Sequence, residues 1–151
     1  MIRVDPSKIT LNCINILKSS ISSEESFCNN PIIIKQSRVG IHQSSKFDFV
    51  NKFVSIKLNI VLNAENDEKQ LVDVNGEFCI EFVIRVDNLE EFLEQGEKGS
   101  FLINGELGAS LMGIVYSTAR GIILEKTVNT PLNGVILPVI NPATLLTNNT
   151  I

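Results

Sequence analysis

The sequence predicts an α+β fold: an antiparallel sheet of four to five strands, one long C-terminal helix, a proline-rich extended segment and a short terminal helix. Three observations predict it. Two stretches, FVSIKLNIVLN and GEFCIEFVIRVD, alternate apolar and polar residues with a period of two. After Leu111 the apolar period becomes about 3.6. Pro131, Pro138 and Pro142 then forbid continued helix.

The chain has 151 residues, the size of a single domain covering 1–151. Hydrophobic residues make up 44% and charged residues 20%, with a mean hydropathy of +0.19, which excludes a disordered chain. The net charge of −4 and the lack of a basic stripe argue against a nucleic-acid binder. No uninterrupted apolar run approaches the ~18–20 residues of a membrane span. MIRVDPSK is followed by no apolar core of a secretory signal, so a cytoplasmic protein is expected. Cys13, Cys28 and Cys79 are scattered and odd in number, which fits reduced thiols.

ITLNCINIL (9–17) reads as a first strand whose alternation slips near Cys13, as a bulge would make it do, although a short amphipathic helix also fits. SSISSEESFCNNP reads as a loop. Residues 32–50 form a second β-prone region, with a turn at Val50–Asn51–Lys52. Val54, Ile56, Leu58, Ile60 and Leu62 then share one face of a strand. AENDEKQLVDVNG reads as a polar connection with a turn at Asn75–Gly76. Phe78, Ile80, Phe82, Ile84 and Val86 share one face of the next strand, where Arg85 and Glu81 lie on the opposite, solvated face. Residues 88–98 form an acidic connection with about one helical turn, and SFLINGEL (100–107) gives a last strand. A helix is expected from Leu111 to Lys126, burying Leu111, Met112, Val115, Tyr116, Ala119, Ile122 and Ile123. Gly113, Gly121, Ile114 and Leu124 lie off that stripe, a hint of a second packed surface and an oligomer. Asn141 and Pro142 suit the cap and first turn of a short helix over ATLL, and the end, TNNTI, is expected to fray.

Catalytic equipment is scarce. The single histidine, His42, reads as an ordinary strand residue, and the cysteine spacings match no zinc template. NGELGASLMG has no lysine and reads as a strand–helix turn rather than a phosphate loop. The carboxylates of DNLEEFLEQGE read as a solvated connection or an acidic docking surface. No metal, cofactor or catalytic residue is expected. What is positive is apolar: Phe53, Phe78, Phe82, Phe92 and Phe101 lie in or beside the strands, and one helix cannot cover a whole sheet.

Several motifs occur in a familiar order. Tyr116-Ser117-Thr118-Ala119-Arg120 stands where the SecB family of export chaperones has P-Y-A-R. Thr130-Pro131-Leu132 resembles its T-x-P-x-L, and Leu137-Pro138-Val139-Ile140-Asn141 its A-P-V-N, followed by Leu145 and Leu146. EFVIRVD (81–87) resembles its E-V-V-L-R-V-T. The chain thus resembles a divergent SecB-like chaperone over about residues 9–146. An ungapped match sets Ser20 and Glu24 at the two acids that dock the SecA motor in that family, so Glu24 alone is kept. The terminal helix is short, the acidic tail is lacking, and 32–50 is an addition or a longer first hairpin.

The resemblance implies an ATP-independent holdase that binds non-native polypeptides along apolar grooves, for export with SecA or for an antitoxin, and that assembles as a dimer of dimers. The alternative is a non-enzymatic adaptor that binds one partner through the same fold. The expected polypeptide-binding residues are Phe92, Leu93, Phe101, Leu107, Leu111, Met112, Ile136 and Leu137. The expected oligomer interface is Gly113, Ile114, Ser117, Gly121 and Leu124. Met112→Asp is expected to weaken client binding more than folding.

Overall fold

The computed structural model describes residues 2–147. Four long strands form one antiparallel sheet: β1 (Ile9–Ser23), β2 (Gln36–Asp48), β3 (Phe53–Glu65) and β4 (Leu71–Val86), in the order β1-β4-β3-β2. A two-stranded hairpin, β5 (Leu93–Gln95) and β6 (Phe101–Ile103), leads to the long helix α2 (Gly105–Lys126). Two short helices complete the described residues, α1 (Glu25–Asn29) and α3 (Thr144–Thr147). This is a SecB-like α+β architecture. The expected fraying concerns residues 148–151, which lie outside the described ones.

The two period-two stretches form the centre of the sheet. In β3 and β4 the buried side chains are the alternating ones: Val54, Ile56, Leu58, Ile60 and Leu62 face Phe78, Ile80, Phe82, Ile84 and Val86. Each such side chain contributes about 1.5–3 kcal/mol by leaving water. The helix stripe packs on this face through Leu107, Leu111, Met112, Val115, Tyr116, Ala119 and Ile123, while Ile122 is only half-buried. The segment after α2 adds Leu132, Val135, Leu137 and Leu145 to the same core. Among the described residues, one helix, α2, is long and apolar enough by length and composition to cross a bilayer, although its apolar run is interrupted. Its buried stripe makes it the core helix of this sheet.

The opposite sheet face is polar. Glu81 accepts hydrogen bonds from Asn15 Nδ2 (3.0 Å) and Ser55 Oγ (3.0 Å). These two contacts, Asn15 first, hold its carboxyl below the ordinary carboxylate range. Lys18 pairs with Glu77. Arg85 pairs with Asp87 at 2.8 Å on this solvated face.

Four sequence expectations need correction. The serine-rich stretch is not a loop throughout: β1 continues to Ser23 and α1 follows, because each residue of 18–23 pairs with β4. Asn75–Gly76 is no turn but the interior of β4. Gly76 is buried there, and a Cβ on it would come within 3.0 Å of Leu132 Cδ1. The reversal lies at 66–70, where Asn66 Oδ1 accepts from the amides of Glu68 and Gln70, both at 2.9 Å, and Lys69 takes φ 61°. The last strand stops at Ile103, and α2 begins at Gly105 rather than Leu111. Asn104 caps it, accepting from Glu106 N–H at 2.9 Å. The slip in β1 is a bulge between Leu11 and Cys13, and a second bulge lies between Ile16 and Lys18.

Candidate functional site

Among the described residues, both outer strands of the sheet have one edge without a strand partner. On β1, Leu11, Ile14 and Ile16 face the core side opposite Ile84, Phe82 and Ile80, yet remain exposed, because the helix covers the middle of the sheet and not its margin. Leu17, the residue skipped at the second bulge, is 53% exposed.

β2 is different. All of its residues pair with β3 in an unbroken register from Gln36↔Glu65 to Asp48↔Phe53. Its odd-numbered residues face the core side, and a cleft lies at each end of that row. The first, about 370 Å³, lies between Lys35–Val39 and the extended segment at Val135, Ile136 and Pro138. Ser37 Oγ borders it, buried and without a hydrogen-bond partner among the described residues. The second, about 480 Å³, is walled by Gln43, Ser45, Phe47 and Phe49 on one side and by Leu93, Phe101, Leu102 and Ile103 on the other. The Phe47 and Phe49 rings stack at 6.1 Å between centroids. The β5–β6 hairpin forms the far wall, and its reversal places Lys98 and Gly99 at φ 57° and 75°.

Local interactions hold these walls. Asn104 Nδ2 donates to Glu94 at 2.7 Å, tying the helix cap to the hairpin. Tyr116 Oη donates to the Pro138 carbonyl at 2.5 Å, and Arg120 Nε donates to the Leu137 carbonyl at 3.1 Å. Burial pushes the Tyr116 hydroxyl above its usual range. Asn141 Oδ1 accepts from Ala143 N–H at 3.1 Å and opens α3 as expected.

The eight expected binding residues divide sharply. Phe92, Leu107, Leu111, Met112 and Leu137 are buried to within 2% exposure and belong to the core. A buried side chain cannot meet a partner, so the chain's own core claims all five, and the Met112→Asp expectation reverses. Phe101 (69% exposed) and Ile136 (62%) border the second and first clefts, and half-buried Leu93 lines the second. Phe47, Leu102 and Val139, not singled out from sequence, are exposed near them. The alternation of Phe47 and Phe49 with Lys46 and Asp48 was the available signal for the first of these.

Of the expected interface residues, Ser117, Gly121 and Leu124 are exposed on α2, and Gly113 and Ile114 are half-buried. A Cβ on Gly113 would touch Pro142 at 3.8 Å, and one on Gly121 would meet nothing within 4 Å, so the chain's own packing does not demand either glycine. Glu24 is exposed just past β1, with its amide donating to the Asp73 carbonyl at 2.9 Å. His42 is exposed on β2. Among the described residues no cluster of His, Cys, Asp and Glu could hold a metal ion, and the three thiols are free. The acids of the connection have structural partners: Glu90 pairs with Lys52, and Glu91 accepts from Asn88.

No family model matches the chain, and no curated protein does. Among solved structures, the chain is similar in fold to the Mycobacterium tuberculosis SecB-like chaperone Rv1957, solved in complex with a ChAD peptide from the HigA1 antitoxin. The TM-score is 0.54 at 11% identity, over 89% of this chain and 92% of that one.

Proposed function

We propose that the chain is an ATP-independent holdase that receives extended segments of non-native polypeptide along the edge of β2. The observation that carries the reading is an unbroken strand with a cleft of mixed apolar and polar lining at each end. A free edge supplies backbone hydrogen bonds without regard to sequence, and the clefts take side chains from alternate positions. A chaperone needs that combination, and so does a partner-binding subunit. The fold likeness to a SecB-like chaperone supports the reading.

In this reading β1 and α2 serve assembly. The exposed Leu11, Ile14, Ile16 and Leu17 of β1, with Ser117, Gly121 and Leu124 of α2, would be covered by copies of the chain in a dimer of dimers in the cytoplasm. The neighbour's bound antitoxin peptide favours a narrower version in which the principal client is an antitoxin. A gene pair for toxin and antitoxin beside this gene would support that version. SecA docking would rest on Glu24 alone.

The test is light scattering of an unrelated, chemically denatured protein diluted into buffer with the full chain. The wild type is expected to suppress aggregation at near-equimolar ratio, and Phe101→Ser combined with Ile136→Ser to lose most of that effect while staying folded. A wild type that leaves aggregation unchanged removes the holdase reading and leaves the single-partner adaptor.

A further inference from the structure

The sequence contains three Asn–Gly pairs, at 75–76, 104–105 and 133–134. Such a pair has a chemistry of its own. The amide nitrogen of the glycine can attack Cγ of the asparagine, because glycine has no Cβ to obstruct the approach and lets the chain bend there. The attack needs a carboxamide free to turn and a backbone N–H that is not already engaged. The fold treats the three pairs differently.

Two of them are held. Asn75 and Gly76 lie inside β4 with strands on both sides: Asn75 stands opposite Ser22 and Asn63, and Gly76 opposite Ile21 and Leu62. The ladder keeps that backbone extended, away from the bend that the attack requires. Asn104 is held through its side chain. Its Oδ1 accepts from Glu106 N–H at 2.9 Å, and its Nδ2 donates to Glu94 at 2.7 Å. The third pair is not held. Asn133 and Gly134 are exposed in the turn that follows α2. Neither the Asn133 carboxamide nor the Gly134 N–H has a hydrogen-bond partner among the described residues. Gly134 takes φ 86°, and a Cβ placed on it would meet nothing within 4 Å, so the chain has room to bend.

We propose that Asn133 is a site of spontaneous deamidation in the folded chain, selected by the fold over Asn75 and Asn104. The Gly134 nitrogen bonds to Cγ of Asn133 and gives up its proton. The Cγ–Nδ2 bond breaks, and ammonia leaves with that proton, which yields a cyclic imide. Water then opens the imide. Cleavage at Cγ gives aspartate. Cleavage at the main-chain carbonyl gives isoaspartate, whose backbone runs through Cγ and is longer by a methylene. Either product adds a negative charge. The lengthened backbone falls between Leu132 and Val135, which are both buried, and Val135 and Ile136 wall the first cleft. Conversion to isoaspartate therefore loosens the segment that closes this end of the core.

The full chain is incubated in warm, mildly alkaline buffer, once folded and once in concentrated urea, and its peptides are mapped by mass spectrometry. In the folded chain Asn133 is expected to convert at least about tenfold faster than Asn75 or Asn104, since those two must first be released by local opening. In urea the three are expected to convert at similar rates. Isoaspartate shows as a second chromatographic peak with the mass of the aspartyl peptide. Asn133→Gln, at an exposed position, is expected to fold and melt like the wild type before incubation. After incubation the wild type is expected to melt at a lower temperature than this variant. Equal rates at the three pairs in the folded chain would overturn the proposal, and so would no conversion at 133 while the urea sample converts. The same preference for Asn133 in urea would trace it to the neighbouring sequence, and that too overturns selection by the fold. Equal melting of the incubated wild type and the incubated variant, with Asn133 converted, would overturn the loosening.

Discussion

β1 and β2 bound the same sheet, and among the described residues neither outer edge pairs with a further strand. β1 is bulged twice and is fringed by exposed leucine and isoleucine on its core side. β2 is unbroken, carries basic side chains outward, and ends in two clefts. Bulges twist an edge and limit what can pair along it, whereas a long regular edge is an open template. The contrast teaches that one sheet can hold two kinds of margin: β1 is bulged and apolar, as a fixed partner would need under the proposed function, whereas β2 is regular, as extended strands would need.

The comparison assumes one rigid core behind both margins, and the largest expected effect tests that. Met112→Asp puts a carboxylate where the side chain is 1% exposed. It is expected to cost about 4–5 kcal/mol and to unfold both edges together in a urea titration. Met112→Leu, which conserves volume, should cost less than about 1.5 kcal/mol. A stable Asp variant with weakened client binding would restore the role first expected for Met112.

Next comes Ile14→Lys with Ile16→Lys. Both positions are exposed, so folding should change by no more than about 1 kcal/mol. Sedimentation should show the assembly falling to a smaller species while peptide affinity at β2 persists. An unchanged mass would remove β1 from the assembly surface. Third, Ile136→Ser alone should weaken peptide binding several-fold, by up to about 2 kcal/mol, with the assembly intact. Equal loss of both properties would mean that the two edges are not separate in function.

The smallest effect concerns acid. The folded-state pKa of Glu81 is lowered, first by Asn15, a β1 residue, and then by Ser55. A carboxylate lowered in the native state contributes stability above its unfolded pKa, and that contribution is lost as pH falls through the folded value. Amide exchange measured below the ordinary carboxylate range should therefore loosen β1 from β4 before it loosens β2 from β3. Glu81→Gln should remove the difference. Equal loosening in the wild type would count against Asn15–Glu81 as the tie.

Much of this fold was legible because β3 and β4 each bury one face, and a buried face writes itself as alternation. The helix stripe was legible for the same reason. What misled were residues with two physical uses. Gly76 resembles half of an Asn–Gly turn, but its missing Cβ admits Leu132. Gly105 and Gly108 made the first turn of α2 look like a loop, although Asn104 was the cap to notice. For the site, hydrophobicity alone cannot separate a cleft from a core. Phe92 and Phe101 are the same residue type nine positions apart, one buried at 1% and one exposed at 69%. The difference arises from long-range packing, since Phe92 enters beneath the sheet while Phe101 rides on a hairpin outside it.

The bonds from Tyr116 and Arg120 to the carbonyls of Pro138 and Leu137 have one last effect. The floor of the first cleft has no ladder of its own; its shape is borrowed from a helix that arrives late in the sequence. A nascent chain synthesised only as far as the sheet would have the open margin but no place to seat an anchor. Under the proposed function, the site for a client would thus be completed only after the last third of the chain had been made.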